Sequence, residues 1–123
     1  MKKTLIFALI AVAAVISSCN KKTENEDEYY IRYEGSVSTL PIVERSYTVA
    51  TEGGKQTFKT RENSFTRTFG PVGKGFDASI SISYSDDVVN LKTPSVHIEV
   101  SKNNGPFALK ASGSKEASYQ IDF

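Results

Sequence analysis

Residues 75–84 read Gly-Phe-Asp-Ala-Ser-Ile-Ser-Ile-Ser-Tyr and carry the clearest structural signal in the chain. Apolar side chains occupy every second position, and an aspartate and three serines fill the positions between them. A strand with one buried face and one solvated face shows this period of two. The stretch therefore predicts a β-strand in which Ile80 and Ile82 face the core, whereas Ser79 and Ser81 face outward.

Segments of similar character lie on both sides of this stretch. They alternate in polarity or are rich in β-branched and aromatic residues, and glycine and asparagine turn signals separate them. The predicted strands are Tyr29–Val37, Arg45–Thr51, Lys55–Thr60, Ser64–Phe69, Gly75–Tyr84, Ser95–Lys102, Phe107–Ala111 and Ser118–Phe123. About eight short strands with frequent turns are typical of a sandwich or a barrel. We predict an all-β fold, a single β-sandwich of mostly antiparallel strands, either immunoglobulin-like or transthyretin-like.

Three finer features of the strands follow from the sequence. Gly35 is a candidate β-bulge in the first strand, since an isolated glycine weakens regular pairing. Phe65 and Phe69 are separated by an even number of positions, which predicts that they lie on the same side of their strand. The last two predicted strands flank Gly113 and Ser114, which indicates a pair joined by a turn.

The N-terminal segment has the composition of an export signal. Lys2 and Lys3 give a positive start, and Leu5–Val15 is a run of 11 residues without charge. A helix that spans a bilayer needs about 20 apolar residues, so this run is too short for a permanent membrane anchor. A charged start, an apolar middle and a small-residue exit indicate a signal peptide.

The exit of this segment reads Ile16-Ser17-Ser18-Cys19 and resembles the lipobox of bacterial lipoproteins. The resemblance implies that residues 1–18 are removed and that the Cys19 thiol receives a diacylglyceryl group. It also implies acylation, with palmitate or a similar chain, of the new amino group of Cys19. Two or more acyl chains anchor a protein stably, whereas one does not. The alternative is an ordinary signal peptide with a chance cysteine.

Residues 19–28 follow as a lipidated cysteine and a polar linker. Asn20–Glu28 contains no apolar residue, so it cannot contribute to a core and is predicted to be a solvated tether. It resembles the tether of lipoproteins of the Bacteroidetes group, in which an acid-rich stretch directs the protein to the outer face of the outer membrane. Here Lys21 and Lys22 precede the acidic residues. The predicted location is the outer membrane, and the periplasmic and cell-surface sides both stay open.

The mature chain has the size of one domain, which we place at residues 29–123. Without Lys2 and Lys3, the chain has 13 basic and 14 acidic side chains. A near-neutral domain offers no general attraction to nucleic acid, whose binders usually have a strongly basic face, so we predict no nucleic-acid partner. Cys19 is the only cysteine in the sequence. If Cys19 carries lipid, the folded domain has no disulfide and no thiol for a metal site or a nucleophile. We predict no cofactor and no metal.

A second resemblance covers most of the domain. The segments Tyr33–Ser36, Ser64–Thr68, Ser79–Ser81 and Val96–Val100 together resemble the extracytoplasmic domain of the small mycobacterial membrane proteins called MmpS. The paired cysteines of that family are missing from this chain. The resemblance implies a compact β-sandwich, and it implies a role as an accessory partner of an envelope lipid exporter.

Two sequence features invite comparison with ligand sites. Gly70–Gly75 contains Gly-Lys, but a phosphate-binding loop needs Ser or Thr next and then a helix, so we predict a loop between strands. Asp86, Asp87 and Asn90 carry oxygen ligands, but their spacing does not match a calcium-binding loop. A solvated turn is the favoured interpretation of the second feature.

Histidine and tyrosine supply two further candidates. His97 is the only histidine and is predicted to face solvent beside Glu99, where it has a structural role. Tyr29, Tyr30 and Tyr33 are candidates for an aromatic binding platform, although core or edge positions are the favoured interpretation.

No catalytic constellation emerges from these candidates, so the chain is not expected to be an enzyme. We expect a membrane-anchored, non-enzymatic binding or accessory module of the cell envelope. Its expected partners are the membrane, through lipid on Cys19, and an envelope protein or glycan. The alternatives are a structural envelope protein and the exporter partner. A concave pocket with converging polar groups favours a ligand, whereas a flat apolar patch favours a protein partner.

Overall fold

The computed structural model describes residues 26–38, 42–84 and 93–123. Cys19 and the candidate calcium ligands Asp86, Asp87 and Asn90 therefore lie outside the described residues. The described chain is all-β, as predicted, and none of its segments forms a helix of membrane-spanning length. Its strands are β1 (Tyr29–Ser36), β2 (Arg45–Thr51), β3 (Gly54–Thr60), β4 (Ser64–Val72), β5 (Asp77–Tyr84), β6 (Ser95–Lys102), β7 (Ala108–Gly113) and β8 (Glu116–Gln120).

The strands form two four-stranded antiparallel sheets. Sheet A has the order β8-β5-β2-β3, and sheet B has the order β4-β1-β6-β7. The inner faces of the two sheets pack against each other, which makes the domain a β-sandwich and confirms the predicted fold class. Among the described strands, the chain changes sheet five times between β1 and β8, and only β2–β3 and β6–β7 pair as consecutive strands.

The core lies between the sheets and follows the alternation seen in the sequence. On β5, Ile80 and Ile82 are buried, whereas Ser79 and Ser81 lie on the opposite face, as predicted. The same period buries alternate residues of β1, β2 and β6. Burial of one such aliphatic or aromatic side chain stabilises the fold by about 1.5–3 kcal/mol.

The prediction of a bulge at Gly35 is wrong. Gly35 pairs in regular register with Phe65 and Val96, and a Cβ at this position would overlap the ring of Tyr47. The glycine is therefore required by a close approach between the sheets. The irregularity lies at the other end of β1, where Gly70 and Pro71 of β4 together oppose Tyr30. Strand β4 thus includes Gly70–Val72, which the sequence analysis placed in a loop.

The predicted pairing of the last two strands is also wrong. Strand β7 pairs with β6 in sheet B, and β8 pairs with β5 in sheet A. The turn between them leads from one sheet to the other, and a Cβ at Gly113 would overlap the backbone of Glu116. Ala117, Tyr119 and Ile121 then contact the core from the side of sheet A.

Candidate functional site

The two outer faces of the sandwich differ in chemistry. On sheet B, Arg32 lies between two carboxylates, with Nε 2.6 Å from Glu99 Oε1 and 3.7 Å from Glu34 Oε2, and its guanidinium covers the ring of Phe107. The hydrogen bond to Glu99 raises the pKa of Arg32. Sheet A instead presents short hydroxyl side chains outward, namely Ser46, Thr48, Thr57, Ser79, Ser81, Ser83 and Ser118.

The hydroxyl side chains of sheet A line a concave surface. One groove of about 430 Å³ is lined by Thr48, Lys55, Ser79, Ile80, Ser81, Glu116, Ala117 and Ser118. A second groove of about 500 Å³ shares three of these residues and continues to Asp77, Tyr119 and Gln120. Because they share Lys55, Ser79 and Ser118, we treat the two as one site and call it the hydroxyl groove. It holds the converging polar groups that the sequence analysis associated with ligand binding.

The floor of the hydroxyl groove is organised by a tyrosine from the other sheet. Strands β2 and β5 pair from Arg45 and Tyr84 as far as Val49 and Ile80. At the next position the hydroxyl of Tyr33 donates to the Ala50 carbonyl at 2.6 Å and accepts from the Ser79 amide at 3.3 Å. The Tyr33 hydroxyl therefore takes the place of a direct hydrogen bond between β2 and β5. The regular pairing of these two strands ends at this point beneath the groove.

Burial explains the chemical state of Tyr33. Its side chain is fully buried, and this burial raises its pKa to about 12, while the hydrogen bond from the Ser79 amide opposes the rise. Tyr33 therefore stays protonated at neutral pH and keeps its hydroxyl hydrogen for the Ala50 carbonyl. The sequence gives no sign of this role, because the residues involved lie on three separate strands.

Charged side chains border the hydroxyl groove on opposite sides. Lys55 comes from β3, whereas Glu116 belongs to β8 and Asp77 to β5. None of these three takes part in an ion pair within the described residues. Asp77 pairs with Gln120, four residues from Glu116 along β8, so the backbones of Asp77 and Glu116 are about 13 Å apart along the strand direction at ~3.3 Å per residue.

The structure also buries a charged residue in the core. Arg45 is fully buried and donates through Nη1 to the carbonyls of Arg61 and Glu62. Burial raises the pKa of the neighbouring Tyr47, and the positive charge of Arg45 opposes this rise. The alternation of the strand does place Arg45 on the same face as the buried residues Tyr47 and Val49. A charged residue at the start of a strand is ordinarily solvated, however, so the sequence does not predict its burial.

A further polar cluster holds the end of the tether against the domain. Asn103 Nδ2 donates to Asp27 Oδ1 at 2.8 Å, and the Glu28 amide donates to Asn103 Oδ1 at 2.9 Å. The Asn103 amide donates to the Glu28 carbonyl at 2.7 Å, and Lys102 Nζ lies 3.6 Å from Asp27 Oδ2. The Asn103 hydrogen bond lowers the pKa of Asp27. We call these four residues the tether latch.

The candidates based on His97 and the tyrosines lie apart from the hydroxyl groove. His97 faces outward on sheet B, paired with Glu34 and Ser112, but it is half-buried and not exposed as predicted. Tyr29 and Tyr33 are fully buried, so they form no exposed aromatic platform and confirm the favoured core interpretation.

The glycine-rich segment is used by the fold itself. After the end of β4, the Gly75 amide donates to the Ile121 carbonyl and the Phe76 amide donates to the Gly73 carbonyl. A strand follows, as predicted. These amides are therefore already engaged and do not point at a ligand as in a phosphate-binding loop.

Within residues 26–38, 42–84 and 93–123, no three histidine, cysteine or acidic side chains lie close enough together to hold a metal ion. Comparison of the chain with protein-family models, with curated proteins and with solved structures finds no match.

Proposed function

We propose that this protein is a lipoprotein of the outer membrane whose sandwich domain is a non-enzymatic binding module. The hydroxyl groove is the observation that carries this function. It is concave, its lining groups converge from four strands, and Tyr33 fixes its floor. The large exposed apolar side chains of the described residues are Ile42 and Leu109, which belong to different segments of the chain.

The geometry of the acidic side chains supports binding rather than hydrolysis. Glycosidases place two carboxyl groups about 5–9.5 Å apart across the bond that they cleave. Asp77 and Glu116 border the groove, and their backbones stand about 13 Å apart along the strand direction, a backbone spacing wider than this range.

The anchoring part of the proposal rests on Cys19 and is tested separately. The full chain is expressed in a Gram-negative host as wild type, as Cys19→Ala and, for control, as Ser18→Ala. Wild type and Ser18→Ala are expected in the membrane fraction with the mass of an acylated protein. Cys19→Ala should lack the acyl mass and should be unprocessed or soluble. Unchanged mass and fractionation of Cys19→Ala would refute lipid anchoring.

The binding part is tested by capture from the native envelope. The detergent-solubilised lipoprotein is cross-linked to envelope extract as wild type, as Ser118→Ile, which fills the groove, and as Ser112→Ile. Ser112 is the matched control because it is an exposed serine on the outer face of sheet B. We expect a captured ligand that Ser118→Ile loses and Ser112→Ile retains. Equal capture by all three proteins contradicts a role for the groove.

A further inference from the structure

The lining of the hydroxyl groove restricts the chemistry of its ligand, and this inference rests on the proposed binding function. The residues form rows across sheet A. Thr57, Thr48, Ser81 and Glu116 make one row, and Lys55, Ala50, Ser79 and Ser118 make the next. A hydroxyl group both donates and accepts hydrogen bonds, so this floor matches a ligand that is itself rich in hydroxyl groups.

The charges at the border of the groove point to a ligand without a strong net charge. Lys55 stands at the β3 edge, and Glu116 stands at the β8 edge with Asp77 on the adjacent strand. A polyanion is attracted by Lys55 but repelled by the two carboxylates, whereas a polycation is attracted by the carboxylates but repelled by Lys55. A neutral polar ligand accepts hydrogen bonds from Lys55 and donates hydrogen bonds to Glu116 and Asp77 without a charge penalty.

The groove has the shape of a track for a chain-like ligand. Its two parts run beside β8 from Glu116 to Gln120, a length of roughly 13 Å at ~3.3 Å per residue. Short side chains let a ligand approach the sheet closely along this path. The site is open to solvent over its length, so a ligand longer than the groove can pass through it.

The sheet face favours a glycan over an extended peptide. A peptide strand pairs its backbone with the edge of a sheet, where free N–H and C=O groups are available. The backbones of β2 and β5 in the groove are already paired with their neighbours or bonded to the Tyr33 hydroxyl. A ligand that lies across these two strands must be satisfied by side chains, and hydroxyl side chains match sugar hydroxyls.

We infer that the hydroxyl groove binds a neutral glycan chain, held by serine and threonine hydroxyls on its floor and by Lys55, Asp77 and Glu116 at its borders. The Tyr33 hydroxyl keeps the floor in its binding geometry by fixing the backbone of Ala50 and Ser79. Preorganisation of this kind reduces the entropy that is lost on binding.

Affinity electrophoresis of the detergent-solubilised lipoprotein tests this inference. The gels contain one of four neutral polysaccharides (an α-glucan, a β-glucan, a mannan or a xylan) or one of two polyanions (polygalacturonate or heparin). We expect at least one neutral polysaccharide to retard the wild type and neither polyanion to do so. Ser118→Ile should bind that polysaccharide at least tenfold more weakly, and Ser112→Ile should bind it like the wild type. Unfolding midpoints confirm that both variants are folded.

The outcomes separate this inference from the proposed function. Retardation by polyanions alone, by no neutral polysaccharide, or equally in Ser118→Ile overturns the glycan assignment. If Ser118→Ile at the same time loses a captured envelope protein, the binding module stands and its ligand is a protein. If Ser118→Ile changes neither glycan binding nor envelope capture, both the glycan assignment and the binding module fail.

Discussion

The hydroxyl of Tyr33 completes the hydrogen bonding of a sheet to which Tyr33 does not belong. It comes from β1 in sheet B and bonds the Ala50 carbonyl and the Ser79 amide in sheet A. A buried backbone group that loses its partner costs about 1–3 kcal/mol. One side chain therefore ties the two layers of the sandwich together at a point beneath the hydroxyl groove.

Replacement of this hydroxyl tests its contribution at the residue scale. Tyr33→Phe should lower the free energy of unfolding by about 1–3 kcal/mol, since it leaves two backbone groups unsatisfied. Tyr30→Phe is the matched control because Tyr30 lies half-buried on the outer face of β1. Urea titrations of both variants supply the measurement. Equal losses of stability in the two would show that the Tyr33 bridge contributes nothing of its own.

The same residue predicts an alkaline limit to stability. The pKa of Tyr33 is raised to about 12, above its value of 10.0 in an unfolded chain. The contribution of the protonated Tyr33 hydroxyl to the free energy of unfolding is therefore complete below pH 10. It is lost as pH rises from 10 to about 12, because the tyrosine of the unfolded chain releases its proton at lower pH than that of the folded chain. The stability difference between wild type and Tyr33→Phe should shrink over this interval. A constant difference would contradict the raised pKa.

At the scale of the strand, Gly35 sets how closely the sheets approach. It lies in the middle of a regular ladder, and the ring of Tyr47 from β2 occupies the place where a Cβ would stand. The same ring stacks on Phe65 with centroids 4.3 Å apart. Strands β1, β2 and β4 therefore meet at this one position.

Gly35→Ala should destabilise the domain through overpacking, by about 1–3 kcal/mol. Gly53→Ala is the matched control, since no atom lies within 4 Å of a Cβ built at Gly53. Thermal unfolding of the two variants, followed by circular dichroism, should show a lower midpoint for Gly35→Ala alone. A midpoint equal to that of the wild type would mean that the Tyr47 ring moves aside at no cost.

The strands themselves were largely predictable, whereas their partners were not. The alternation of Ile80 and Ile82 with Ser79 and Ser81 depends only on which face is solvated, and a period of two expresses that directly. The turn at Gly113 reads equally well as a hairpin or as a connection between sheets. Which one forms depends on core contacts of β8 with strands that are distant in sequence.

The candidate site follows the same distinction. That Ser79 and Ser118 face outward is readable from the alternation in their strands. That they are paired neighbours, with Lys55 on the same surface, follows only from the strand order β8-β5-β2-β3. The sequence therefore does not predict the groove, although it predicts correctly that Ser79 and Ser81 lie on the outer face of β5.

At the scale of the whole molecule, the tether latch fixes where the linker enters the domain. It holds Asp27 and Glu28 beside the turn after β6, at the end of the sandwich where β1 begins. From Cys19 to Glu28 an extended chain spans at most about 30 Å. For a protein anchored as we propose, the latch end of the domain therefore lies within about 30 Å of the lipid-bearing cysteine.

Asn103→Gly should open the latch without disturbing the turn. Asn103 and Asn104 both have positive φ, 52° and 65°, and glycine accepts this conformation. Asn104→Gly is the matched control, because Asn104 has the same backbone conformation but is not a latch residue, whereas the Asn103 side chain bonds Asp27 and Glu28. The Glu28 amide should exchange its hydrogen faster in Asn103→Gly than in Asn104→Gly. Equal exchange would show that the side chain of Asn103 does not hold the tether.

The five changes of sheet along the chain have a consequence for the speed of folding. Two of the strand pairs in residues 26–38, 42–84 and 93–123 are local hairpins, and the other pairs there join segments that are distant in sequence, such as β1 with β6. Long loops must close before such pairs gain contacts, and all-β sandwiches accordingly fold in milliseconds to seconds. For a chain exported as we propose, slow folding gives the chain time to cross the inner membrane before its strands pair.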